Sequence, residues 1–336
     1  MTNALTADWT TPFEMPPFDQ IADTDFRPAF DAALAQARAA IAAIADNPEP
    51  PDFENTISAL ELADRQLNRV LGVFYNLSGS DSNPAREALM REFSPELAAY
   101  SQEVSMNRGL FARIETLWDR RDDLDMTAEQ ARLLMLTRRG FVRSGALLEG
   151  GDRDRFGEIK QRLAVLGTSF TQNLLADERD WSMPLTEADL EGLPDFVITA
   201  ARAAGEEKGH AGPAVTLSRS LIVPFLQFSP RRDLREAAFR AWTARGANGG
   251  ATDNRAIAAE ILALRDERAR LLGYDSFAAY KLDTEMAKTP SAVRDLLMQV
   301  WAPARAQAEA DAAVLTRMMQ ADGVNGDLEP WDWRYY

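Results

Sequence analysis

"DFRPAFDAALAQARAAIAAIADNPEPPDFENTISALELADRQLNRVLGVFYNL", residues 25–77, decides the fold class. Apolar residues fall at Phe26, Phe30, Leu34, Ala37, Ile41 and Ile44. The steps are three and four, which is one face of an α-helix. "DNPEPP" ends that helix, because proline removes a backbone donor and restricts the residue before it. After "DFENT" the same rhythm returns at Leu60, Ala63, Leu67, Val70, Phe74 and Leu77. Two amphipathic helices joined by a short proline-rich turn are expected to pack as an antiparallel hairpin.

Most of the chain continues in this way. Asn83 and Pro84 read as the N-cap and first position of a further helix. Thr127 with Gln130 fits a capping box, and Thr186 with Asp189 a weaker one. "DRFGEIKQRLAVLGTSFTQNLLADERDW", residues 154–181, reads as a long helix. Beyond residue 229, Ser229 is expected to cap and Pro230 to start a helix with Leu234, Ala238 and Trp242 on one face. Gly273 is expected to stop the next one, and the last, residues 288–323, to bend at Pro303. The exception is "AVTLSRSLIVPFLQF", residues 214–228. Its β-branched and aromatic residues, broken at Ser218–Ser220, predict a minor β-hairpin with Pro224 on an edge strand. The expected class is all-α: a long-helix array with an N-terminal helical hairpin and that one β-hairpin. No helical repeat and no Gly/Ser-rich linker divides residues 1–336, which are read as one helical region.

Composition narrows function. The 336 residues are 46% hydrophobic and 26% charged, which is a globular composition. No apolar run reaches the ~18 to 20 residues that cross a bilayer, so no membrane role is expected. The first residues, "MTNALTADWTTPFEMPPFDQ", lack a basic and an apolar signal region. They read as an extended proline-rich arm, with the cytoplasm as the expected compartment. A net charge of -15 argues against a nucleic-acid partner. There is no cysteine and one histidine, His210, so neither a thiolate site nor a two-histidine zinc motif can be built from this chain.

Individual motifs read as structural. "ARGANGGATDN", residues 244–254, is glycine-rich but follows a helix and lacks the lysine of a phosphate loop. It is read as a helix-to-helix turn. His210, in "GEEKGHAGP", is read as a solvated loop histidine with no partner in view. "RRDDLDMTAEQ", residues 120–130, lacks the glycine of a calcium loop. "SPRRDLREAAFR", residues 229–240, is read as a solvated helix face with a Glu236–Arg240 pair.

Longer segments carry a resemblance. "PPFDQIADTDFRPAFDAALAQARAAIAAIADNPEPPDFENTISALE" (residues 16–61) resembles the opening of the thimet oligopeptidase, neurolysin and oligopeptidase A family of zinc metallopeptidases. "SRSLIVPFLQFSPRRDLREAAFRAWTARGANGGATDNRAIAAEILALRDERARLLGYDSFAAYKL" (218–282) is similar to its bacterial peptidyl-dipeptidase branch. "MAKTPSAVRDLL" (286–297) and "EPWDWRYY" (329–336) fit the same pattern. The resemblance runs from about Phe13 to Tyr336.

It implies an enzyme releasing C-terminal dipeptides from oligopeptides. Its zinc would be held by an H-E-x-x-H motif that comes after the W-D-W-x-Y-Y segment. None of those positions exists here, so no catalytic, cofactor-binding or metal residue is carried over. The chain is expected to bind no zinc, to be inactive alone, and to form the helical channel wall of the N-terminal half. Two alternatives stand: an internally cutting oligopeptidase of the same family, and a non-catalytic helical peptide-binding scaffold. The implied partner is the catalytic half, or a second copy associating through the C-terminal region. Trp331, Trp333, Tyr335, Tyr336, Leu315 and Met319 are then expected to be bare, or their tail disordered.

Overall fold

The computed structural model describes residues 3–336. Two compact units divide them, one ending at Gly150 and the other spanning Gly151–Tyr336.

The first unit is built on α1 (Asp23–Ala45). A wide turn of π-type, Phe53–Ser58, leads into α2 (Ala59–Ala63) and α3 (Arg65–Ser80). There follow α4 (Pro84–Ser105), α5 (Arg108–Asp119) and α6 (Ala128–Arg143). The expected hairpin is present. Phe26, near the start of α1, meets Phe74, near the end of α3, edge-on with ring centroids 5.2 Å apart. A start packed on an end makes the pair antiparallel. Phe93 of α4 completes the aromatic core, stacked on Phe30 at 4.0 Å and tilted against Phe74 at 5.0 Å. Leu67 and Phe74 are buried.

The proline-rich turn is clamped from outside. Arg113 of α5 is buried and donates to the carbonyls of Asn47 (2.8 Å) and Glu49 (3.0 Å) and to Asn55 Oδ1 (2.7 Å). The N-terminal arm is not free either. Leu5 is buried, its carbonyl accepts from Gln66, and Arg69 lies 3.8 Å over the Trp9 ring.

The second unit begins with α7 (Gly150–Asp180). Next come β1 (Ser182–Pro184), α8 (Asp195–Glu207) and β2 (Ala214–Thr216). The strands pair antiparallel, with Met183 opposite Val215. The expected hairpin within 214–228 is therefore corrected. Its first strand is β2, paired to β1 from outside the segment, and its second half is a helix, α9 (Arg219–Phe228). Leu221, Ile222, Phe225 and Leu226 are all buried. That spacing of one, three and one is a helical face, and Ser218–Ser220 opens the helix instead of a turn. Pro224 sits inside α9, not on a strand edge.

Next are α10 (Arg232–Thr243), α11 (Arg255–Leu271), α12 (Phe277–Leu282) and α13 (Pro290–Ala321). Ser229 is not the cap of α10. It ends α9, and α10 starts after Arg231. Two arginine–glutamate pairs, Arg155–Glu267 and Arg162–Glu260 (each 2.6 Å), tie α7 to α11. One number rises by seven as the other falls by seven, so these helices run antiparallel. Gly273 has φ 81° and closes α11, as expected. The last helix is continuous through Pro303.

Candidate functional site

The strongest polar construction in the second unit joins α10 to "EPWDWRYY". Arg235 points inward from α10, one turn after the helix begins. Its guanidinium donates to Asp332 Oδ1 (2.9 Å), the Ser229 carbonyl (2.7 Å) and the Trp331 carbonyl (3.2 Å). The Tyr335 ring covers its other face at 4.0 Å. Arg232 brings a second guanidinium to the same carboxylate, at 2.8 Å. The Glu329 amide adds a further donor at 3.1 Å. Burial alone would push the Asp332 carboxyl up. The hydrogen bonds from Arg232, the Glu329 amide and Arg235 outweigh it and hold the group below the usual carboxylate range. Trp331 is buried beside Phe239, with Arg240 over its ring at 4.8 Å.

The C-terminal cluster is thus divided. Trp331 is buried and Met319 fully so, while Leu315, Tyr335 and Tyr336 are half-buried and Trp333 is exposed. The expectation that the whole cluster is bare or disordered is corrected. Charge drives the difference: Asp332, in the middle of the aromatic run, is drawn onto two arginines. The reading of 229–240 as a solvated face is corrected for the same reason, since Arg235 is buried, although Glu236–Arg240 is a surface pair at 2.8 Å as expected.

A second construction organises the glycine-rich loop. Asp177, near the end of α7, accepts from the Gly246 amide (2.7 Å), Asn248 Nδ2 (3.0 Å) and the Thr252 hydroxyl. Burial opposes the ionised form; the Gly246 amide, then Thr252 and Asn248, hold its carboxyl low. Asn254 is buried, donates to the Phe170 carbonyl (3.0 Å) and accepts from Asn173 (2.9 Å). Gly246 has φ 68°, and a Cβ there would press on Leu174 and Asn254. The loop is a helix-to-helix connection, as expected, but one tied to α7. Beside it lies a cavity of about 370 Å³ lined by Asp177, Trp181, Leu217, Ala241, Arg245 and Asn248, among others.

His210 has a partner that its sequence neighbours do not reveal. Its Nε2 lies 2.8 Å from Ser182 Oγ on β1. Among the described residues no carboxylate is hydrogen-bonded to the imidazole, so the pair has no orienting acid. In the first unit, a cavity of about 560 Å³ is lined by Trp9, Arg65, Arg69, Asp8 and Glu14, among others. Among the described residues no group of three or more His, Asp or Glu is arranged to hold a metal ion. With one histidine and no cysteine in the chain, the residues present do not fit a zinc site.

Residues 225–336, which contain the Arg235–Asp332 construction, match the pattern of peptidase family M3. The chain resembles that family. Over 99% of its length this chain is 34% identical to the dipeptidyl carboxypeptidase of Escherichia coli (strain K12), covering 49% of that protein. It is 33% identical to the oligopeptidase A of Salmonella typhimurium over its whole length, covering 50% of that protein. Saccharolysin of Saccharomyces cerevisiae is 24% identical over 86% of the chain. The chain spans about half the length of the curated relatives it matches. Among the described residues no helix is long and apolar enough to cross a membrane.

Sequence reasoning found the segments that carry this kinship but not Asp177, Arg235 or Asp332 as their organising side chains. Each is one charged residue among many: burial distinguishes Arg235 and Asp332, and three converging donors distinguish Asp177.

Proposed function

We propose that this chain is the N-terminal, substrate-enclosing part of a cytoplasmic zinc metallopeptidase that releases dipeptides from the C-termini of oligopeptides. The observation that carries the reading is the 34% identity to a dipeptidyl carboxypeptidase, maintained over 99% of this chain. The chain contributes helical scaffolding and no chemistry. Its two best-built carboxylates, Asp177 and Asp332, are fully engaged in holding a loop and a tail. The zinc belongs to residues outside this chain, because the donor set here does not fit one.

An internally cutting oligopeptidase is the second reading. Oligopeptidase A, at 33% identity, stands almost as near as the carboxypeptidase. One assay separates the two. The chain, joined to the half of the Escherichia coli dipeptidyl carboxypeptidase that it does not align with, is given N-terminally blocked peptides with free or amidated C-termini. Sequential dipeptide release from the free form alone supports the first reading, and internal cleavage of both forms supports the second. The unjoined chain is expected to cleave neither.

A further inference from the structure

The exposed face of α13 is the feature that the proposed function leaves unused. Leu296, Leu297, Val300 and Trp301 are 62, 61, 56 and 61% exposed. Three-to-four spacing continues their stripe along the helix to Leu315, half-buried, and Met319, fully buried. One helix face is therefore interior at its C-terminal end and bare at its N-terminal end. Every residue from 294 to 311 is exposed. A helix owes most of its stability in proteins to the packing of its apolar face, so an apolar stripe of this length with no cover marks an interaction surface.

We propose that this stripe is the docking surface for the other half of the M3 peptidase, packed helix against helix over Leu296–Trp301. The proposal rests on the reading above. Three observations select that occupant. The stripe lies inside residues 225–336, the part of the chain that matches the family pattern. The relatives aligned over 99 to 100% of this chain are about twice as long. Farther along α13, Arg305 is paired with Glu309 at 3.0 Å and Gln307 with Asp311 at 2.8 Å, so these side chains call for no charged partner. A second copy is disfavoured, because each would bring a net charge of -15.

The test mixes the chain with the separately produced half of Escherichia coli dipeptidyl carboxypeptidase that it does not align with, followed by sedimentation velocity. The parent chain and a Leu262→Asp control, altered at an exposed apolar site on α11, should form a one-to-one complex. A Leu297→Asp/Trp301→Asp variant should bind at least tenfold more weakly with unchanged helical circular dichroism. A variant that binds like the parent overturns the assignment of α13 and leaves the half-peptidase reading standing. Self-association of the parent, abolished in the variant, overturns it in favour of a second copy. Failure of the parent to bind also overturns it; peptide cleavage by the joined chain then judges the functional reading separately.

Discussion

Replacing Asp332 by alanine removes the carboxylate on which the C-terminal segment is anchored. Arg235, whose side chain is 1% exposed, would keep the carbonyls of Ser229 and Trp331 but lose the carboxylate paired with it. Arg232, 34% exposed, can turn to solvent and loses less. Removing one member of a buried ion pair costs roughly 3 to 5 kcal/mol, because the remaining charge is left desolvated. The second unit, Gly151–Tyr336, falls in the size range where each kcal/mol moves the melting temperature by about 2 to 4 °C. The expected drop is therefore about 6 to 20 °C. Thermal unfolding followed by tryptophan fluorescence reports on it, since Trp331 and Trp333 flank the mutated residue. Arg235→Met combined with Asp332→Leu should recover most of the loss, because a buried pair replaced by apolar groups is often neutral. A single Asp332→Ala change that shifts the transition by under about 2 °C would refute the claim that this contact holds the tail.

Leu67→Ala, in the α1–α3 hairpin, should cost about 2 to 5 kcal/mol in urea unfolding, and a cost below about 0.5 kcal/mol would mean the face is not core. Gly205→Ala should destabilise the second unit by more than a helical Gly-to-Ala change normally gains. A Cβ there would overlap the Gly212 carbonyl oxygen and lie 3.0 Å from its carbon; a stabilised variant would contradict the close approach of α8 to that loop. Lowering the pH should loosen the tail and the glycine-rich loop together. Asp332 and Asp177 both have folded pKa values below the usual carboxylate value. Their contribution is therefore complete at neutral pH, begins to fall near the ordinary value of about 3.9 and is lost as the pH passes below the folded values. Amide exchange at residues 246–254 and 329–336 that is no faster at pH 3 than at pH 6, after correction for intrinsic rates, would count against it.

Periodicity alone dictated the helical class. The steps from Phe26 to Ile44 and from Leu60 to Leu77 can be satisfied only by helices with one buried face, and capping at Asn83 and Thr127 follows from side chains that satisfy nearby amides. Where local signals competed, tertiary structure decided. Residues 221–228 have β-branched and aromatic composition, yet form α9, because burying Leu221, Ile222, Phe225 and Leu226 together requires a helical face. β2 found its partner in β1, a pairing that no short-range pattern encodes. The tail shows the same division. Its aromatic run is plain in the sequence, but which of its residues turn inward depends on Asp332 meeting Arg232 and Arg235 about 100 positions away. A contact at such separation is set by how the helices pack, so a single sequence carries its parts without showing that they meet.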